Sequence, residues 1–66
     1  MNAAAEQKAR ELRAVRDAMS PDAGTTAEDI RAFLADVQTA ANELCTSAEE
    51  RSTFWQCAGG LSYMWV

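Results

Sequence analysis

Sixty-six residues make one domain at most, and ten acidic against six basic side chains leave a net charge of −4. A chain this short buries only about 60% of its unfolded surface, which leaves little structure to support a catalytic cleft, and it contains no histidine, the commonest general base and metal ligand. The negative balance disfavours non-specific nucleic-acid binding, so composition points away from an enzyme, a metal protein or a nucleic-acid binder.

A first helix is predicted over about residues 3–19. Ala, Glu, Gln, Lys, Arg and Leu dominate there, all strong helix formers. The apolar stripe is thin: Ala5, Ala9 and Leu12, then Val15, Ala18 and Met19. Such a helix depends on its neighbours for stability. Glu6 and Arg10 stand in the favourable i,i+4 order, and Arg13 and Asp17 in the reverse one. Residues 1–20 carry a net charge of +1 and residues 21–66 a net charge of −5, so the two parts can attract each other. The carboxylates interleaved with the basic residues favour a solvated face over an acid-binding one.

Ser20-Pro21-Asp22-Ala23-Gly24-Thr25 is the clearest break. The residue before a proline avoids the helical region, and the small polar residues complete a loop. Thr26, or Thr25 paired with Glu28, then offers an N-cap with acids in the first turn. The second helix, about 27–45, has the strongest pattern. Ile30, Phe33, Leu34, Val37, Ala41 and Leu44 fall on one face, which makes this the central helix of the fold. Ser47, with Glu50 three residues on, reads as a capping box for a third helix over about 48–58. Gly59-Gly60 can stop that helix, because glycine fits the left-handed closing position. A rival reading continues it, since Phe54, Ala58, Leu61 and Trp65 keep helical spacing across the glycines. Two glycines inside a helix cost about 1.5–2 kcal/mol relative to alanine, so the stop is preferred.

Cys45 and Cys57 invite a disulfide. In a helical hairpin, however, Cys57 lies on the order of 14 Å beyond the turn that Cys45 adjoins. Cα atoms more than about 7 Å apart cannot be bridged, so two separate thiols are predicted, both as buried core cysteines. Two thiolates without histidine do not complete a tetrahedral metal shell. Asp36, Glu43, Glu49 and Glu50 read as a solvated acidic face. Ser47, Ser52 and Thr53 lack a base, and Gly59-Gly60 lacks the lysine and helix start of a phosphate loop. No catalytic, cofactor-binding or metal-ligating residue is assigned.

The chain holds no run of about 18 apolar residues that would cross a membrane. Met1-Asn2-Ala3-Ala4-Ala5-Glu6 lacks the charged and apolar regions of a signal peptide. A cytoplasmic location, with both thiols free, is the expectation.

The last thirteen residues hold both tryptophans and the only tyrosine. Chain ends are usually frayed and solvated, so Leu61-Ser62-Tyr63-Met64-Trp65-Val66 is unusual. One reading folds these side chains back to complete a core short of large residues. The other makes Phe54, Trp55, Leu61, Tyr63, Met64 and Trp65 a partner-binding surface, because Trp and Tyr are enriched where interfaces concentrate their binding energy. Both hold if some rings point inward and Trp65 outward.

Cys57-Ala58-Gly59-Gly60, following a helical segment and preceding a short distinct tail, resembles the double-glycine leader peptides. The resemblance covers about a dozen residues. The family's apolar positions before the cut correspond to Cys57 and Phe54, and Glu49 stands where a further upstream apolar residue is usual. The resemblance implies processing at Gly59 and Gly60 by a peptidase, with Leu61–Val66 as product. Tyr63 and Trp65 would also suit a modifying enzyme that oxidises or cross-links them.

The expected fold is all-α: a small three-helix domain over residues 1–60, the second helix central, with a short aromatic C-terminal tail at 61–66. The expected function is a non-enzymatic protein-interaction module, an adaptor or regulator engaging a protein partner or a second copy, without cofactor. The alternative is a precursor peptide with a helical leader over 1–60.

Overall fold

A computed structural model describes residues 2–19 and 23–60. Three helices follow one another: α1, Ala3–Ala18; α2, Ala27–Leu44; and α3, Ala48–Ala58. The domain is all-α, and among the described residues no helix is long and apolar enough to cross a membrane. Pro21 and the tail lie outside the described residues. α1 already ends at Ala18, where Met19 turns extended and donates its N–H to the Arg16 carbonyl at 3.1 Å.

Each helix starts at a side-chain cap, which satisfies backbone donors that have no partner inside the helix. Thr26 and Asp29 form a reciprocal box on α2. The Asp29 N–H donates to Thr26 Oγ1 at 3.2 Å, and the Thr26 N–H donates to Asp29 Oδ2 at 3.0 Å. Of the two sequence alternatives, Thr26 is therefore the cap. Ser47 caps α3 by accepting the Glu50 N–H at 3.1 Å. The Glu50 carboxylate takes the Thr46 hydroxyl at 3.2 Å instead of closing the expected box.

Asn2 caps α1 with Oδ1, which accepts the Ala5 N–H at 2.8 Å. Its Nδ2 donates to the Leu44 carbonyl at 3.1 Å. One side chain thus satisfies the start of α1 and the end of α2. This bond runs α1 and α2 antiparallel. At the other end, Gly59 after α3 lies against the side chains of Arg13 and Arg16. α3 therefore runs beside α1 in the same direction, and α1 packs more extensively on α3 than on α2.

The core consists of Ala5, Ala9 and Leu12 from α1, Phe33, Val37, Ala40 and Ala41 from α2, Cys45, and Phe54 and Ala58 from α3. α2 supplies the largest share, as its stripe implied. Half of these ten residues are alanine, so the apolar volume rests on Leu12, Phe33, Val37 and Phe54. Ile30, Leu34 and Leu44 are only partly buried, and Ala40 joins the core from beside the predicted stripe. α1 departs from expectation in its second half. Val15 is 50% exposed and Ala18 is exposed, while Arg16 is the half-buried residue of that turn. The arginine stem covers the end of α3, so the burial that the pattern assigned to alanine falls on an arginine.

The expected Glu6–Arg10 pair is not among the ion pairs of the described residues. Those are Lys8–Glu11 at 3.9 Å, Arg13–Asp17 at 3.4 Å and Arg16–Asp17 at 3.3 Å. The first two are exposed on both sides and contribute little to stability; in the third, Arg16 is partly buried.

Candidate functional site

The end of α3 is where the sequence concentrates its unusual residues, and the backbone there is closed by two glycines. Gly59 sits in the left-handed region at φ 79°, ψ 11°. Its N–H donates to the Gln56 carbonyl at 3.1 Å, and the Gly60 N–H donates to the Trp55 carbonyl at 3.1 Å. These two bonds make a Schellman closure, which satisfies carbonyls that the helix leaves open. The helix stops at Ala58, where the glycine pair predicts its end.

The glycines are also required by their neighbours. A Cβ at Gly59 would stand 3.0 Å from Cδ of Arg16 and 3.1 Å from Cδ of Arg13. A Cβ at Gly60 would stand 2.5 Å from Cε3 and 2.8 Å from Cζ3 of Trp55. The indole therefore lies across Gly60, and both glycines are buried.

The six side chains expected to meet a partner divide. Phe54 is 0% exposed and belongs to the core, four residues ahead of the equally buried Ala58. Trp55 is partly buried against the core and partly open. Leu61, Tyr63, Met64 and Trp65 lie outside the described residues. Gly59 and Gly60, the candidate processing residues, are where the closure just described holds the chain.

A groove of about 410 Å³ runs along α1 beside this end. Glu6, Ala9, Arg10, Arg13, Ala14 and Asp17 of α1 line it together with Cys57 of α3. Cys57 is exposed, not in the core as expected. It follows Phe54 by three residues and precedes Ala58, so it falls to the groove side of the buried pair. Cys45 is buried, and neither cysteine is in a disulfide. Burial pushes the Cys45 thiol above its ordinary value, and the nearby Glu50 carboxylate adds to this, against a smaller opposing effect of Arg51.

Two smaller clefts hold no convergent chemistry. One, of about 280 Å³, is lined by Ser47, Glu49, Glu50 and Thr53. Of these, Ser47, Glu50 and Thr53 have side chains already engaged at the start of α3. The other, of about 310 Å³, lies between Lys8 of α1 and Asp36, Thr39, Ala40 and Glu43 of α2. Among the described residues no group of three His, Cys, Asp or Glu side chains is placed to hold a metal ion.

Sequence reasoning missed two contributors, the Asn2 bridge and the Arg13–Arg16 cover over Gly59. An asparagine ahead of a helical run signals an N-cap, but nothing local signals its second bond to Leu44. No family model matches the chain, and no curated protein or solved structure is detectably similar to it.

Proposed function

We propose that this chain is a non-enzymatic protein-interaction module, an adaptor or regulator that engages a protein partner through Trp55, Leu61, Tyr63, Met64 and Trp65. The observation that carries this reading is the anchoring of Gly60. It is buried, bonded to the Trp55 carbonyl and covered by the Trp55 ring. An aromatic segment that begins at a fixed point beside a half-open tryptophan is well suited to interface use. A fixed origin reduces the ordering entropy that binding must offset, and tryptophan and tyrosine bury much area with few rotatable bonds.

The same closure weighs against the alternative, a leader peptide cut after Gly60. A peptidase needs the backbone extended, so the last turn of α3 would have to open first. That makes processing of the folded chain slow unless an enzyme supplies the opening.

The test is co-purification of the tagged chain from its own host, wild type against Trp65→Ala. The wild type should retain a protein partner, or a second copy. Trp65→Ala should weaken that association by about tenfold or more, the usual scale for a tryptophan at an interface centre. Helical circular dichroism should stay unchanged. Lost helicity and a lower melting midpoint, with association intact, would instead assign Trp65 to the core.

A further inference from the structure

We infer that Arg13 and Arg16 form a charge-held strap over the closure of α3, so that opening of the Gly59–Gly60 backbone is controlled by charge on α1. α1 and α3 run in the same direction, which brings the carbonyl ends of both helices to one end of the molecule. Each such end carries about half a negative charge, so the two repel unless a cation lies between them. α3 has acids in its first turn, Glu49 and Glu50, but no basic residue in its last turn. The cations come from α1.

The geometry puts them at the closure. A Cβ on Gly59 would stand 3.0 Å from Cδ and 3.2 Å from Nε of Arg16, and 3.1 Å from Cδ of Arg13. Asp17 Oδ1 accepts from Arg13 Nε at 3.4 Å and from Arg16 Nη1 at 3.3 Å. One carboxylate thus ties both guanidinium groups together beside the glycine. The Arg13 side chain is 48% exposed and that of Arg16 29%, so ions in solution reach both. Stems that only packed on Gly59 would leave the closure indifferent to salt. Guanidinium groups that neutralise two carbonyl ends make it sensitive to salt.

What the strap holds is the last turn of α3. The Gly59 and Gly60 N–H groups donate to the Gln56 and Trp55 carbonyls, and both bonds are lost when that turn opens. An anionic partner surface that draws Arg13 and Arg16 away from Asp17 and Gly59 releases the turn. For its use the strap rests on the proposed interaction function, which needs Gly60 held. Its test needs no partner, so the two can fail separately.

The test is amide hydrogen exchange of the purified full-length chain, read residue by residue by NMR, since exchange follows local opening. The Cys45 N–H, bonded to the Ala41 carbonyl at the other end of the molecule, is the internal reference. Arg13→Met with Arg16→Met keeps an unbranched apolar stem and removes the charge. Relative to Cys45, Gly59 and Gly60 should then exchange about tenfold faster, the scale of two cations lost from a helix end. Arg13→Lys with Arg16→Lys keeps the charge and should stay near the wild-type rates. Raising salt from about 0.01 M to about 1 M shortens the screening length from about 30 Å to about 3 Å. That should speed both glycines in the wild type and leave the methionine variant unchanged. Equal glycine rates in wild type and methionine variant would overturn the strap and leave only packing of the stems. If the methionine variant also loosens Cys45, the wild-type salt series decides alone, and glycine rates that ignore salt would overturn the inference.

Discussion

At the scale of single residues, Asn2 does more than its position suggests. Its side chain accepts from Ala5 and donates to the Leu44 carbonyl. Asn2→Ala removes both bonds. An N-cap loss costs about 1 kcal/mol, which lowers the melting midpoint of so small a domain by about 4–8 °C. Asn2→Ser keeps a capping oxygen but is too short to reach Leu44, so its midpoint should fall between the two. A serine variant that melts with the wild type would show that the Leu44 bond contributes nothing.

Cys45 supplies a second residue-scale test. Its folded-state pKa is raised, chiefly by burial and further by Glu50. Below the ordinary thiol pKa of about 8.5 the thiol is neutral in both states and exerts no pH effect. Above that value the unfolded chain releases the proton while the folded chain keeps it. The folded state then binds more protons, so stability falls as pH rises towards the folded-state value. Denaturant titrations across that alkaline window should show a steeper decline for wild type than for Cys45→Ala. Parallel declines would mean that the thiol is not held in its neutral form by the fold.

At the scale of elements, α2 carries the large core residues Phe33 and Val37, and α3 adds Phe54. The remaining core is mostly alanine, so there is little to compensate for a lost ring. Phe33→Ala should cost about 3–5 kcal/mol, most of the stability available to a domain of this length. Thermal unfolding followed by circular dichroism should lose its cooperative transition. A shift of only a degree or two would refute the role assigned to α2.

These elements were legible to different degrees, for physical reasons. The α2 stripe and the Ser47 and Thr26 caps are local patterns, and they placed the second and third helices. α1 was harder in its second half. Its pattern offered Val15 and Ala18, but the neighbour across the gap is Gly59, and a long arginine stem fills that space better than a short side chain. Cys57 misled because a cysteine beside a buried Phe54 and Ala58 looks apolar in sequence, and only the rotation of α3 on α1 decides which of three consecutive faces is open. In the sequence the two glycines carry a helix stop and the resemblance to a cleavage signal. Their third role, making room for Trp55 and the α1 arginines, depends on contacts far apart in sequence.

At the scale of the whole molecule, charge and packing converge on one end. The basic first helix sets Arg13 and Arg16 against the closure of α3, the point in the sequence after which the aromatic segment follows. The domain is a small all-α scaffold whose last described residue, Gly60, is held in the closure of α3, and the proposed function requires residues 61–66 to stay part of the chain. Retention of that segment separates an interaction module from a leader and its product. Peptide mass spectrometry of the chain isolated from its own host tests it most directly, by following the segment that spans Gly60 and Leu61. An interaction module should show that segment uncut and residues 61–66 at their unmodified mass. A chain ending at Gly60, or a mass change confined to Tyr63 or Trp65, would contradict it and make the processed peptide the function.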